Sequence, residues 1–86
     1  MVAPRGISKP LHTPEHVAFR EVILNARRKT GLTQQQLAER LGKPQSFVAK
    51  YEGGERRLDL LEFVSIAQAL DTDPVRLLRL LLKKIQ

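Results

Sequence analysis

Gln45, Ser46, Phe47 and Lys50 fall within six residues and bring together an amide, a hydroxyl, an aromatic ring and an ammonium group. Such groups can read base pairs in a DNA major groove. A glutamine amide makes paired hydrogen bonds to adenine, a lysine reaches the acceptors of guanine, and an apolar side chain touches the thymine methyl. Catalytic alternatives find no support. Ser8, Ser46 and Ser65 have no nearby His with an orienting acid. Gly53-Gly54 lacks the Lys-Ser/Thr context of a phosphate-binding loop. His12 and His16 have no carboxylate cluster of metal-ligand spacing beside them. The expectation is a chain that is no enzyme, with no cofactor and no metal.

Base-reading groups are useful only on an element that holds them outward. Thr33 with Gln36 makes a capping box, and Leu37, Ala38 and Leu41 follow on the inner side of a short helix. Gly42 ends it, where a positive φ is needed. A second helix is expected from about Pro44 to Glu52, stopped by Gly53-Gly54. Two helices that cross closely need a small residue at the crossing, which Ala38 supplies. Val48 and Tyr51, three apart, pin the second helix to a core. Lys43, Gln45, Ser46, Ala49 and Lys50, with Phe47 beside them, are left facing out. This is the layout of a helix-turn-helix, whose second helix enters the major groove.

The flanks complete an all-α plan. Thr13-Pro14-Glu15 starts a helix, with Val17, Ile23, Leu24, Ala26 and Phe19 or Ala18 as its mixed apolar face. Arg27-Arg28-Lys29 and Gly31 close it near Lys29. Asp59 and Glu62 cap a fourth helix carrying Leu60, Leu61, Phe63, Val64, Ile66, Ala67 and Leu70. Asp73-Pro74 opens a fifth. The expected fold is a compact five-helix bundle over 13–86, preceded by a basic N-terminal arm over 1–12 that carries Arg5 and Lys9.

Charge agrees with the chemistry. In 86 residues, 15 Lys and Arg face 9 Asp and Glu, a formal net charge of +6, which favours a polyanionic partner. The absence of cysteine excludes disulfides and thiolate metal sites and is compatible with a reducing cytoplasm. No apolar run is long enough to span a membrane, and Met1 to Ile7 lacks the apolar stretch of a signal peptide.

Three blocks carry a resemblance. They are Gly31-Leu32-Thr33-Gln34 with Leu37-Ala38, Gly42-Lys43-Pro44-Gln45-Ser46 with Val48, and Tyr51-Glu52-Gly53-Gly54-Glu55-Arg56-Arg57. Together they resemble the phage repressor and Cro-like family, the xenobiotic-response-element type of helix-turn-helix. Leu58-Asp59, Glu62-Phe63, Ile66-Ala67, Ala69-Leu70 and Asp73-Pro74 extend the likeness over roughly Val17 to Leu81. The resemblance implies a lambda-repressor-like domain that binds an operator, usually as a homodimer, to regulate transcription. It implies that Gln34 contacts phosphate and braces the reading helix, that Gln45 and Ser46 read bases, and that Lys50 reaches a base edge or a nearby phosphate. Gly54 and Arg56 would lie beside the DNA backbone, with Arg57 close by. It also implies a partly buried structural ion pair between Arg27 and Glu52. Two positions depart from the pattern: Lys43 replaces an apolar residue, and Phe47 is bulkier than usual, which favours apolar contact there.

The remaining basic residues, Arg28, Lys29 and Lys43 with Arg56 and Arg57, are expected to neutralise phosphates. In the last helix, Leu78, Leu81, Leu82 and Ile85 form one stripe while Leu77 and Leu80 lie off to the side. One stripe can pack inward and the other serve a dimer, so Leu77, Leu78, Leu81, Leu82 and Ile85 are the candidate dimer residues. No effector domain is expected after the fold, and therefore no ligand-sensing pocket. A phage repressor, a restriction-modification controller and an autoregulatory antitoxin all fit. The rival reading is a protein-interaction module whose leucine-rich last helix grips a partner, such as a toxin or the transcription machinery. The expected location is cytoplasmic.

Overall fold

A computed structural model describes residues 12–86 and has, among them, five α-helices and no strand. They are α1 (Pro14–Thr30), α2 (Gln34–Leu41), α3 (Gln45–Glu52), α4 (Leu60–Ala69) and α5 (Pro74–Ile85). The basic arm expected over 1–12 lies outside the described residues except for His12.

Each helix starts and stops for a local reason. The Thr13 hydroxyl accepts from the His16 N–H at 3.2 Å, and Pro14 takes the first helical position, where its missing N–H costs nothing. Gly31 closes α1 at φ 77°, its N–H donating to Arg28 O. Reciprocal capping boxes open α2 and α4. In α2 the Gln36 N–H donates to the Thr33 hydroxyl, and the Thr33 N–H donates to the Gln36 side chain. Asp59 and Glu62 repeat the exchange in α4. Pro44 is the cap residue of α3 and makes no side-chain capping bond, so α3 begins at Gln45. Asp73 caps α5 by accepting from the Val75 N–H at 2.9 Å.

The core lies where α1 receives α3 and α5, and α2 receives α3 and α4. Leu37, Ala38, Val48, Tyr51, Ile66, Ala67 and Leu70 are buried within it. Ala38 sits at the close approach of α2 and α3 and is 1% exposed. The Tyr51 hydroxyl is buried without a protein hydrogen-bond partner. That burial, and next the Glu52 charge, push its pKa up.

Four apolar positions differ from expectation. The buried face of α1 is Ala18, Val22, Ile23 and Ala26, while Val17 is exposed. Ala18, Val22 and Ala26 recur every four residues, so they stack on one side of the helix. Leu60 and Leu61 stand in the first turn of α4 and are 73% and 76% exposed. Leu77, expected among the dimer residues, is the buried leucine of α5, with Leu81 half-buried beside it, so the inward pair takes one residue from each of the two groups.

Replacing Leu37 by Ala is expected to cost about 2–5 kcal/mol, the range for emptying a packed core site. Leu61→Ala should stay within about 0.5 kcal/mol. Urea unfolding of both variants checks the assignment of core and surface.

Candidate nucleic-acid interface

The site is built outward from one ion pair. Arg27, near the end of α1, sends its Nε to Glu52 Oε2 at 2.7 Å and its Nη2 to Glu52 Oε1 at 2.9 Å. Its Nη1 donates to Leu32 O at 2.8 Å, so the guanidinium also holds the α1–α2 loop. The two side chains are only 11% and 5% exposed. The hydrogen bond to Glu52, working against burial, raises the Arg27 pKa. A fork-to-carboxylate pair of this kind fixes angle as well as distance.

Glu52 then orients the glutamines. A carboxylate can only accept, so Gln34 must turn its amide nitrogen towards it, and the Nε2 donates to Glu52 Oε1 at 2.8 Å. That leaves the Gln34 carbonyl pointing away, where it accepts from Gln45 Nε2 at 3.3 Å. Gln45 keeps its own carbonyl oxygen and one N–H for an outside partner. This is the acceptor and donor pair that an adenine edge requires.

Gln45 and Ser46 are exposed on the first turn of α3, and Lys50 is exposed one turn later. Buried Val48 and Tyr51 hold the helix from behind. Lys43 is exposed just before the helix, with its Nζ 5.5 Å from the centre of the Phe47 ring. The pairing therefore joins Gln34, Gln45 and Glu52 in one network, while Ser46, Lys43 and Lys50 border it without a bond to it.

Three residues stand differently from their expected roles. Phe47 is half-buried: it packs edge-on to Tyr51 at 5.5 Å and lies under the Arg56 guanidinium at 4.6 Å. It is thus part of the wall of the core as well as a neighbour of the reading surface. Arg56 is occupied, its Nη1 and Nη2 donating to Glu62 at 3.0 and 2.8 Å. The Arg56 hydrogen bond holds the Glu62 carboxyl below its ordinary value, and the Asp59 backbone bond adds to this. The contribution of this pair is complete above the unfolded-state value of Glu62 and is lost as pH falls through the lower folded-state value. Gly54, expected beside the DNA backbone, is buried instead. Its φ is 82°, and a Cβ there would stand 2.9 Å from Arg20 Cζ. Its N–H donates to Tyr51 O, so it is a packing glycine. Nothing in the local sequence announces Arg20 as its lid, because the two meet only through the fold.

Arg28, Lys29 and Arg57 are exposed. Arg28 and Lys29, at the end of α1, line a groove between α1 and α5. Of the proposed dimer residues, Leu77 is 3% exposed and belongs to the protomer core. Leu78, Leu82 and Ile85 are 45%, 41% and 39% exposed, and Val75, which the sequence reading passed over, joins them at 50%. Leu81 packs against the core. Among the described residues no cluster of His, Asp and Glu is placed to hold a metal, and no helix is long and apolar enough to cross a membrane.

Arg27→Met should destabilise the fold by about 3 kcal/mol, because Glu52 is then left charged and poorly solvated. Arg28→Met should change it by less than about 0.5 kcal/mol. Equal melting temperatures for the two variants would remove the pair from its structural role.

Comparison with known proteins agrees with this geometry. The HTH_3 helix-turn-helix family model matches residues 23–77. Among solved structures, an XRE-family like protein from Pseudomonas syringae pv. tomato str. DC3000 is 42% identical, with a TM-score of 0.81 over 94% of this chain and 99% of that one. The restriction-modification controller protein C.AhdI from Aeromonas hydrophila is 34% identical, with a TM-score of 0.66 over 71% of this chain and 88% of that one. A point mutant of the restriction-modification controller protein C.Esp1396I is 25% identical, with a TM-score of 0.75 over 79% and 91% of the two chains. No curated protein matches. The helix pair, matched by the family model and by a 42% identical structure over most of the chain, places this chain in the XRE-type helix-turn-helix family of DNA-binding transcriptional regulators, which are not enzymes.

Proposed function

We propose that the chain is a sequence-specific, operator-binding regulator that acts as a homodimer on a palindromic double-stranded site. The observation that carries this reading is the hydrogen-bond chain from Arg27 through Glu52 and Gln34 to Gln45. It leaves one amide, already turned, at the exposed start of α3. Gln45 reads adenine, Ser46 and Lys50 read or flank neighbouring bases, and Phe47 offers its ring edge to a thymine methyl. Lys43, Arg57, Arg28 and Lys29 supply phosphate contacts that fix register, and Gln34 adds an amide to the nearest phosphate. Arg56 reaches phosphate only by sharing itself with Glu62.

Homodimer formation draws support from Val75, Leu78, Leu82 and Ile85, an apolar strip that the protomer leaves open. A two-fold pairing through α5 sets two reading helices about 34 Å apart, one turn of DNA. Two of the similar structures are named as restriction-modification controllers. A controller role is therefore favoured over a phage repressor or an antitoxin. The DNA-binding role supports a cytoplasmic location.

Selection from a random duplex pool at near-physiological salt is expected to recover an inverted repeat with half-sites about one turn apart. Gln45→Ala should cost about 1–3 kcal/mol at that site and relax one base preference, whereas Lys43→Ala should weaken all sequences alike and reduce the salt slope by about 1. Recovery of no preferred sequence would defeat the reading. For the dimer, Leu78→Glu with Leu82→Glu should yield a monomer in sedimentation while the melting temperature of the helices survives. A dimer that persists in this variant would move the interface elsewhere.

A further inference from the structure

α1 and α5 frame a second surface that no residue of α3 lines. α3 packs on α1 and α2, whereas α5 packs on α1 and α4. Between α1 and α5 runs a groove of about 670 Å³. Val22, Ala26, Leu77 and Leu80 form its apolar floor. Arg28 and Lys29 border it from α1, and Arg76, Lys83 and Lys84 from α5, with no carboxylate in the lining. Glu21 reaches Lys84 at 3.5 Å from outside the groove, and both side chains are well exposed, so this contact neutralises little.

The placement of these cations is only partly explained by folding. Arg28 and Lys29 suit the negative end of α1, and Lys83 and Lys84 that of α5. Arg76 does not suit its position, because it occupies the first turn of α5, where the helix dipole favours an acid, and the Asp73 carboxylate at that end is engaged in capping the Val75 N–H. A row of like charges along an apolar floor repels itself until an anion arrives. Arg76 and Lys83 are seven residues apart, about 11 Å along the helix. The volume is that of a small-molecule site.

From this charge complementarity we infer that the α1–α5 groove binds a free anionic amphiphile with an apolar body and one acidic head, of the medium-chain fatty-acid type. The apolar body lies on Val22, Ala26 and Leu80, and the head group meets Arg76 with Arg28 or Lys29. A second copy of this chain does not suit the groove, since it carries a formal net charge of +6. Its apolar strip, with that of the first copy, uses Leu78 and Leu82 on the other flank of α5. DNA phosphate does not suit it either, because phosphate has no use for an apolar floor. The structure thus offers a ligand groove where the sequence led us to expect none. Resting on the function proposed above, Arg28 and Lys29 serve both surfaces, so an occupied groove has fewer cations to give to DNA.

The test is a titration of the full chain, without DNA, by amide-resolved NMR below micelle-forming concentrations. Decanoate, decanol and decyltrimethylammonium share a tail and differ in head charge. The expected result is saturable decanoate binding with shifts centred on Val22, Ala26, Leu77 and Leu80. Decanol should bind about tenfold more weakly, a loss of about 1.4 kcal/mol, and the cation should not bind. Leu80→Asp should abolish decanoate binding. Arg76→Ala with Lys83→Ala should weaken it about tenfold without moving the melting temperature, which keeps the test valid if Leu80→Asp fails to fold. Equal binding of all three probes, shifts centred on Leu78 and Leu82, or binding only to vesicles of anionic phospholipid would overturn the inference. Decanoate is then expected to lower DNA affinity in the native chain and not in Leu80→Asp. Groove binding with unchanged DNA affinity would overturn the coupling, and loss of sequence preference without decanoate would fall on the operator reading instead.

Discussion

The Arg27–Glu52 pair is the constraint on which the rest of the interface depends. It joins the end of α1 to the end of α3 at 2.7 Å, and through Leu32 O it also holds the loop that delivers α2. Burying such a pair is weak evidence of added stability, because desolvation offsets much of the attraction. Its value here is directional. A carboxylate that can only accept decides which way the Gln34 amide faces, and Gln34 in turn decides Gln45. The Gln45 amide is thus oriented by a charge two side chains away. Orientation before binding reduces the rotamer entropy that a free glutamine would lose on contact.

Most of the fold was legible because its signals are local. Each capping box needs two residues three apart, and both boxes formed where Thr33 with Gln36 and Asp59 with Glu62 stand. Val48 and Tyr51 read as anchors because their spacing puts them on one side of any helix. The buried leucine of α5 was not legible. With leucine at 77, 78, 80, 81 and 82, almost every direction around the helix is apolar, and periodicity cannot choose among them. The choice is made by α1 and α4, which receive Leu77 and Leu81.

The site was legible in part for the same reason. Gln45, Ser46 and Lys50 are outward by elimination, since the inward positions of α3 are taken. The packing partners of Gly54 and Arg56 were not legible, because they are not neighbours in the same motif. Gly54 is covered by Arg20 from α1, and Arg56 is held by Glu62 from α4 while it covers Phe47. A motif records which residue types recur at its own positions. It holds no record of which side chain from another helix closes over them.

The two flanks of α5 extend this point to the surface. A helix of this length needs one apolar stripe to join a core, and Leu77 with Leu81 supplies it. Val75, Leu78, Leu82 and Ile85 form a second, exposed stripe on one side. Arg76, Lys83 and Lys84 form a cationic row on the other. Neither is required for the protomer to fold, and each has a physical cost: exposed apolar area invites association, and a like-charged row repels itself. The costs differ in kind, so one partner cannot relieve both. A second copy of the chain covers apolar area but brings more positive charge, whereas an anion quenches the row but leaves the stripe wet. The two proposed partners therefore relieve different costs on opposite sides of a single helix, one for each cost.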